Sequence, residues 1–110
     1  MIVVFVRYYL TAEGVQYVHD TWFPEVLRRI KPKPGFVSVT LDSTDLETGL
    51  VEITVIFEDK PTLEAWVAHP DHKIVDDLDR FRIRDAEVAQ ADRTDVDPST
   101  LQWLQIPSQT

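Results

Sequence analysis

The chain has 110 residues, no cysteine and a formal net charge of −8. That length fits one domain with a single core, and the lack of cysteine excludes disulfides, a thiol nucleophile and thiolate metal sites. The acidic balance disfavours nucleic acid and anionic membranes as partners, and no apolar run approaches the ~20 residues that span a bilayer.

Ile2 to Leu10 reads as the first strand. Met1-Ile2-Val3-Val4-Phe5-Val6 is strand-like rather than a signal peptide, so a cytoplasmic protein is expected. The start of the strand is apolar at every position, the pattern of a strand buried on both faces. Thr11 can cap a helix that runs to about Ile30, its apolar stripe formed by Val15, Val18, Trp22, Phe23, Val26, Leu27 and Ile30. Pro24 is placed to kink it. Lys31-Pro32-Lys33-Pro34-Gly35 is a stop and turn. Phe36 to Leu41 forms a second strand with Val37, Val39 and Leu41 on one face, and Leu50 to Glu58 a third, joined to it as a hairpin through the polar turn Asp42 to Gly49. Lys60 to Leu78 reads as a helix broken at Pro70, because the residue before a proline avoids helical geometry. A last strand falls within Arg82 to Ala91.

The order βαββαβ predicts an α+β, ferredoxin-like domain over residues 1–91, with two helices on one face of an antiparallel sheet. The other face would carry apolar residues of the first and third strands, so a homodimer with its sheets packed face to face is expected. Residues 92–110 form a linker and an apolar tail bearing Leu101, Trp103, Leu104 and Ile106. Docking of that tail, on a partner subunit or across a pocket mouth, would remove those side chains from water; a disordered end is the alternative.

His19 lies near the middle of the first helix's apolar arc, where it is either a satisfied core or edge histidine or a base between helix and sheet. Arg7 and Tyr9 share a strand face with Val3 and Phe5. If that face meets the helices, Arg7 points toward His19, Trp22 and Trp66, where a guanidinium could stabilise a phenolate or enolate; otherwise it pairs locally with a carboxylate such as Glu58. Trp66 is core or the wall of an aromatic pocket. His69 precedes Pro70 and can end a helical turn. In a regular second half, Ile74, Val75, Leu78 and Phe81 face inward and His72 falls off their centre. The spacing of His69 and His72 with Asp71 or Asp76 matches no strong metal motif. There is no Gly-rich phosphate loop, nucleophile elbow, His-Glu-x-x-His or dinucleotide motif, so neither metal nor cofactor is expected.

Pro34-Gly35-Phe36 and the segment Asp59 to His72, acidic-x-x-x-Leu-Glu-x-Trp-x-x-His-Pro-x-His, resemble the antibiotic biosynthesis monooxygenase family of the dimeric α/β-barrel superfamily. The resemblance covers roughly Ile2 to Ala91. It implies, for some members, oxidation of aromatic phenols to quinones by O₂ without metal or flavin, the substrate anion being the reductant. On that reading His19 or His72 is the base and Arg7 the cation beside the anion, while Tyr9, Trp22, Trp66 and His69 contact a small aromatic ligand. The family's haem-degrading branch has an Asn where this chain has Arg7 and a haem-ligating His where it has Asp76, which argues against haem. The oxidising branch often has a Tyr about where this chain has His72. A non-catalytic dimeric ligand-binding module, or a His-base isomerase or lyase on the same scaffold, are the alternatives.

Overall fold

A computed structural model of the protein describes residues 1–107; positions 108–110 of the tail lie outside the described residues. Strand β1 (Ile2–Tyr9) leads into a continuous helical stretch made of α1 (Ala12–Tyr17), a π-turn (Val18–Trp22) and α2 (Phe23–Ile30). The Thr11 hydroxyl caps α1 by accepting from the Gly14 amide at 3.1 Å. In a regular helix Pro24 would leave the Asp20 carbonyl without a donor and press its ring against it. The wider π-turn, in which the Phe23 amide donates to the Val18 carbonyl, is where the helix accommodates this proline without ending.

β2 (Phe36–Thr44) and β3 (Leu50–Phe57) form the expected hairpin. It turns at Gly49, which has a φ of 78°. A Cβ there would stand 1.9 Å from the Leu10 carbonyl oxygen, so only glycine fits the turn. β2 is longer than expected and bulged twice. The first bulge falls between Phe36 and Ser38 and turns Val37 outward, 43% exposed, so Phe36 rather than Val37 joins Val39 and Leu41 in packing against the core.

Helix α3 (Lys60–Ala68) is capped by Asp59, whose carboxylate accepts from the Thr62 amide at 3.0 Å. It stops at His69, whose ψ of 142° is extended, as Pro70 demands. The chain continues to Phe81 as a 3₁₀ helix (Pro70–Phe81) rather than an α-helix. β4 (Ala86–Ala91) follows, and the tail contributes β5 (Leu104–Ile106).

The five strands form one antiparallel sheet in the order β2-β3-β1-β4-β5, with the helices on one face; the first four strands give the ferredoxin-like arrangement. The register decides which residues face the helices. Val4, Val6 and Tyr8 of β1 sit opposite Val55, Ile53 and Val51 of β3, and all six belong to or pack against the main core. Val3, Phe5, Arg7 and Tyr9 face the other way. No helix among the described residues is long and apolar enough to cross a membrane.

Candidate active site

Between the helices and the inward face of the sheet lies a cavity of about 440 Å³. Its floor is Val4, Val6, Ile53 and Val55, and its walls include Trp22, Trp66, Leu63 and Ile74. Volume and lining suit a small, largely apolar ligand held by a few polar groups. Those groups are Tyr8, His72, Asp76, Arg82 and Gln90.

The tryptophans are fixed by their surroundings. Trp22, in the π-turn, donates its indole N–H to the Ile74 carbonyl at 2.9 Å and meets Tyr8 edge to face with ring centroids 5.9 Å apart. Trp66 comes from the last turn of α3, and the His72 ring meets it edge-on at 5.4 Å. The break is tied to α2: Lys33 pairs with the Asp71 carboxylate at 2.8 Å, and Arg29 donates to the Asp71 carbonyl at 3.2 Å.

His72 reaches the cavity because the second half of the broken helix is 3₁₀. Three residues per turn align His72, Val75, Leu78 and Phe81 along one edge, which an α-helical period would not do. Burial lowers the His72 pKa from its ordinary 6.5, opposed by the nearby Asp76 carboxylate, so the neutral, proton-accepting form is favoured at neutral pH.

Arg82 supplies the cation. Its side chain is only 7% exposed, its Nη1 donates to the Ile106 carbonyl at 2.8 Å, and its guanidinium lies 5.7 Å from the Tyr8 ring centre. Its Nε stands 3.1 Å from the Asp79 carboxylate, yet the two are poorly aligned and neither atom has a hydrogen bond among the described residues. The ion pair is therefore real in charge but incomplete in geometry. Burial pushes the Tyr8 hydroxyl up to about 12, despite the opposing pull of Arg82, so Tyr8 remains a proton donor at neutral pH.

Of the residues singled out in the sequence, Trp22, Trp66 and His72 meet at this cavity, and the other four do not. Arg7 is on the opposite sheet face, bonded to Glu52 at 3.2 Å and stacked under Trp103 at 4.0 Å. The expectation that it points toward the tryptophans fails because the even-numbered residues of β1 face the helices. Its alternative carboxylate partner is Glu52 rather than Glu58. Tyr9 shares Arg7's face and donates to Glu87 at 2.5 Å. His19 is exposed and bonds the Thr44 hydroxyl at 2.9 Å. His69 is also exposed; its Nδ1 accepts from the Asp71 amide at 3.0 Å and caps the 3₁₀ segment. Tyr8, Arg82 and Gln90 were missed. Once β1 and β3 are paired, the alternation Val51-Glu52-Ile53-Thr54-Val55 in β3 is the signal that turns Tyr8 inward. Among the described residues, no three His, Cys, Asp or Glu side chains cluster to hold a metal ion.

No family model matches the sequence, and no curated protein matches it. Solved structures do. A crystal structure of an antibiotic biosynthesis monooxygenase superposes with a TM-score of 0.73 at 16% identity, over 86% of this chain and 99% of that one. A protein from Deinococcus radiodurans, provisionally assigned as an antibiotic biosynthesis monooxygenase, gives 0.71 at 15%, over 88% and 96%. The chain has the fold of these proteins. SnoaB, a cofactor-independent oxygenase from Streptomyces nogalater, shares it with a TM-score of 0.64 at 15% identity, over 88% of this chain and 96% of that one. The fold expected from the sequence is the fold observed.

Proposed function

We propose that the chain is a cofactor-independent oxygenase of the antibiotic biosynthesis monooxygenase family, oxidising a small aromatic or quinol-like substrate with O₂ in the cavity between helices and sheet. The observation that carries this reading is the make-up of the cavity: two tryptophan walls, a histidine favoured in its basic form and one enclosed guanidinium. The fold shared with SnoaB supports it.

In this reading the aromatic ligand packs against Trp66 and Trp22. His72 removes a proton from an acidic hydroxyl or ring methylene. Arg82 stabilises the resulting anion, assisted by the Tyr8 hydroxyl as donor. The apolar walls exclude water and strengthen that attraction. The anion is the reductant and O₂ the oxidant. At a ring methylene, two C–H bonds are lost, one oxygen atom becomes the new carbonyl, and the other leaves as water with the two hydrogens. A homodimer through the face opposite the helices belongs to the same proposal; Phe5, Thr54 and Ile56 lie half-buried there.

The test is oxygen consumption by metal-free protein with anthrones, naphthols and hydroquinones, repeated under ¹⁸O₂ with mass analysis of the product. Uptake is expected, with one labelled oxygen in the quinone formed from an anthrone or a naphthol; a hydroquinone only loses two hydrogens and should give unlabelled quinone and hydrogen peroxide. Binding of the aromatics without uptake would replace this reading with that of a ligand-binding module.

A further inference from the structure

The tail does more than add an edge strand. After β4 the chain crosses to the outward face of the sheet, where Asp97, Pro98, Ser99 and Trp103 border a hollow with Phe5, Arg7 and Glu52. Trp103 lies over the Arg7 guanidinium at 4.0 Å and donates its indole N–H to the Pro98 carbonyl at 3.0 Å. One residue later the chain pairs with β4, placing Leu104 opposite Val88 and Ile106 opposite Ala86. Ile106 and Pro107 then line the cavity, and the Ile106 carbonyl holds Arg82. A single segment thus grips both sides of the sheet.

We propose that Ile106 is a specificity-determining residue of the cavity, and that residues 92–107 are a strap whose anchor on the opposite face, Trp103 over Arg7, keeps Ile106 seated. β5 is a three-residue edge strand bonded to a neighbour on one side, so its pairing alone is a weak hold. The cation–π contact supplies a second hold at its entrance. When the strap lifts, the cavity loses one wall and Arg82 loses the carbonyl that aims it. Ligand size and access to the two cavity tryptophans are therefore governed partly by a contact that never touches the ligand.

Trp22, Trp66 and Trp103 are the three tryptophans of the chain, which makes this measurable. A Trp103→Phe parent keeps an aromatic face over Arg7 for the cation–π contact. Its remaining indoles both line the cavity, so acrylamide quenching of their fluorescence reports its openness. Adding Arg7→Ala to that parent should raise the quenching constant, and ending the chain after residue 103 should raise it severalfold further. Quenching at the parent level in the Arg7→Ala variant, with unchanged circular dichroism, overturns the strap whatever the truncated chain does. For specificity, the wild type and Ile106→Ala are titrated with 1-naphthoate and 9-anthracenecarboxylate. The variant should shift severalfold in favour of the three-ring acid. An unchanged ratio, or no binding of either acid, overturns the role of Ile106. Neither readout depends on oxygen: binding that obeys these predictions without O₂ uptake would sink the oxygenase reading and leave the strap standing.

Discussion

Arg7 and Arg82 stand on opposite sides of one sheet, and their surroundings divide the molecule. Arg7 has a side chain 29% exposed, an aligned bond to Glu52 and an indole across its face. Its charge is satisfied and partly hydrated, and it clips the tail. Arg82 is enclosed, holds a backbone carbonyl and leaves its contact with Asp79 misaligned, at the wall of an apolar cavity. A cation there, short of hydrogen bonds and shielded from water, has more to gain from an anion than one at the surface. The difference teaches that surroundings, more than residue type, separate an arginine whose charge is satisfied from one left open to an anion.

The sharpest way to break this comparison is at His72, Arg82's companion in the cavity. His72→Gln should lower turnover by about 10²–10⁴-fold, the usual range for losing a general base, while aromatic binding changes little. His19→Gln, altering an exposed ring on Thr44, should leave turnover unchanged. Steady-state kinetics on both variants checks this.

Next comes Arg82 itself. Arg82→Met strands the Asp79 carboxylate, 10% exposed, and should cost about 3–5 kcal/mol in urea unfolding as well as weaken binding of anionic aromatics. Arg82→Met with Asp79→Leu should recover most of the stability and none of the anion binding. Recovery of both would mean that the arginine is structural.

Arg7→Ala is expected to cost only about 1 kcal/mol in the same unfolding experiment, because its ion pair with Glu52 is partly exposed and screened. A loss as large as that for Arg82 would erase the contrast between the two faces.

The smallest effect is in pH. The His72 pKa lies below its ordinary 6.5 in the folded protein. The stability linked to its neutral form is fully present above that value and declines as pH falls toward the folded pKa, since the unfolded chain takes up the proton first. Thermal melts of wild type should therefore decline more than those of His72→Gln below pH 6.5, and the acid limb of turnover should also lie below pH 6.5.

Much of this was legible before any coordinates. Thr11 and Pro70 declared a cap and a break, and β3 alternated cleanly enough to reveal its inward face. β1 did not: Ile2 to Val6 are apolar throughout, so nothing in that strand alone distinguishes the side of Tyr8 from the side of Arg7. Only its pairing with β3 decides. Spacing at 3.6 residues per turn sets His72 off the inner face, and only the family resemblance singles it out; the chain winds at three residues per turn there, which brings His72 to the cavity. The inward turn of Val37's neighbour Phe36 depended on a bulge, which no hydrophobic pattern marks. Arg82 was hidden for a related reason. It follows the 3₁₀ segment, and its partners Ile106 and Asp79 are brought to it by the tail and the winding of the helix.

The most direct test of the account uses the three indole N–H signals in a ¹⁵N spectrum while 1-naphthol is added. Trp22 and Trp66 line the cavity, and Trp103 borders the outward hollow. The account predicts the largest shifts at Trp66 and Trp22, saturating together, with Trp103 following only weakly. A saturable shift at Trp103 while Trp22 and Trp66 stay still would contradict it, and would move the ligand to the outward face of the sheet.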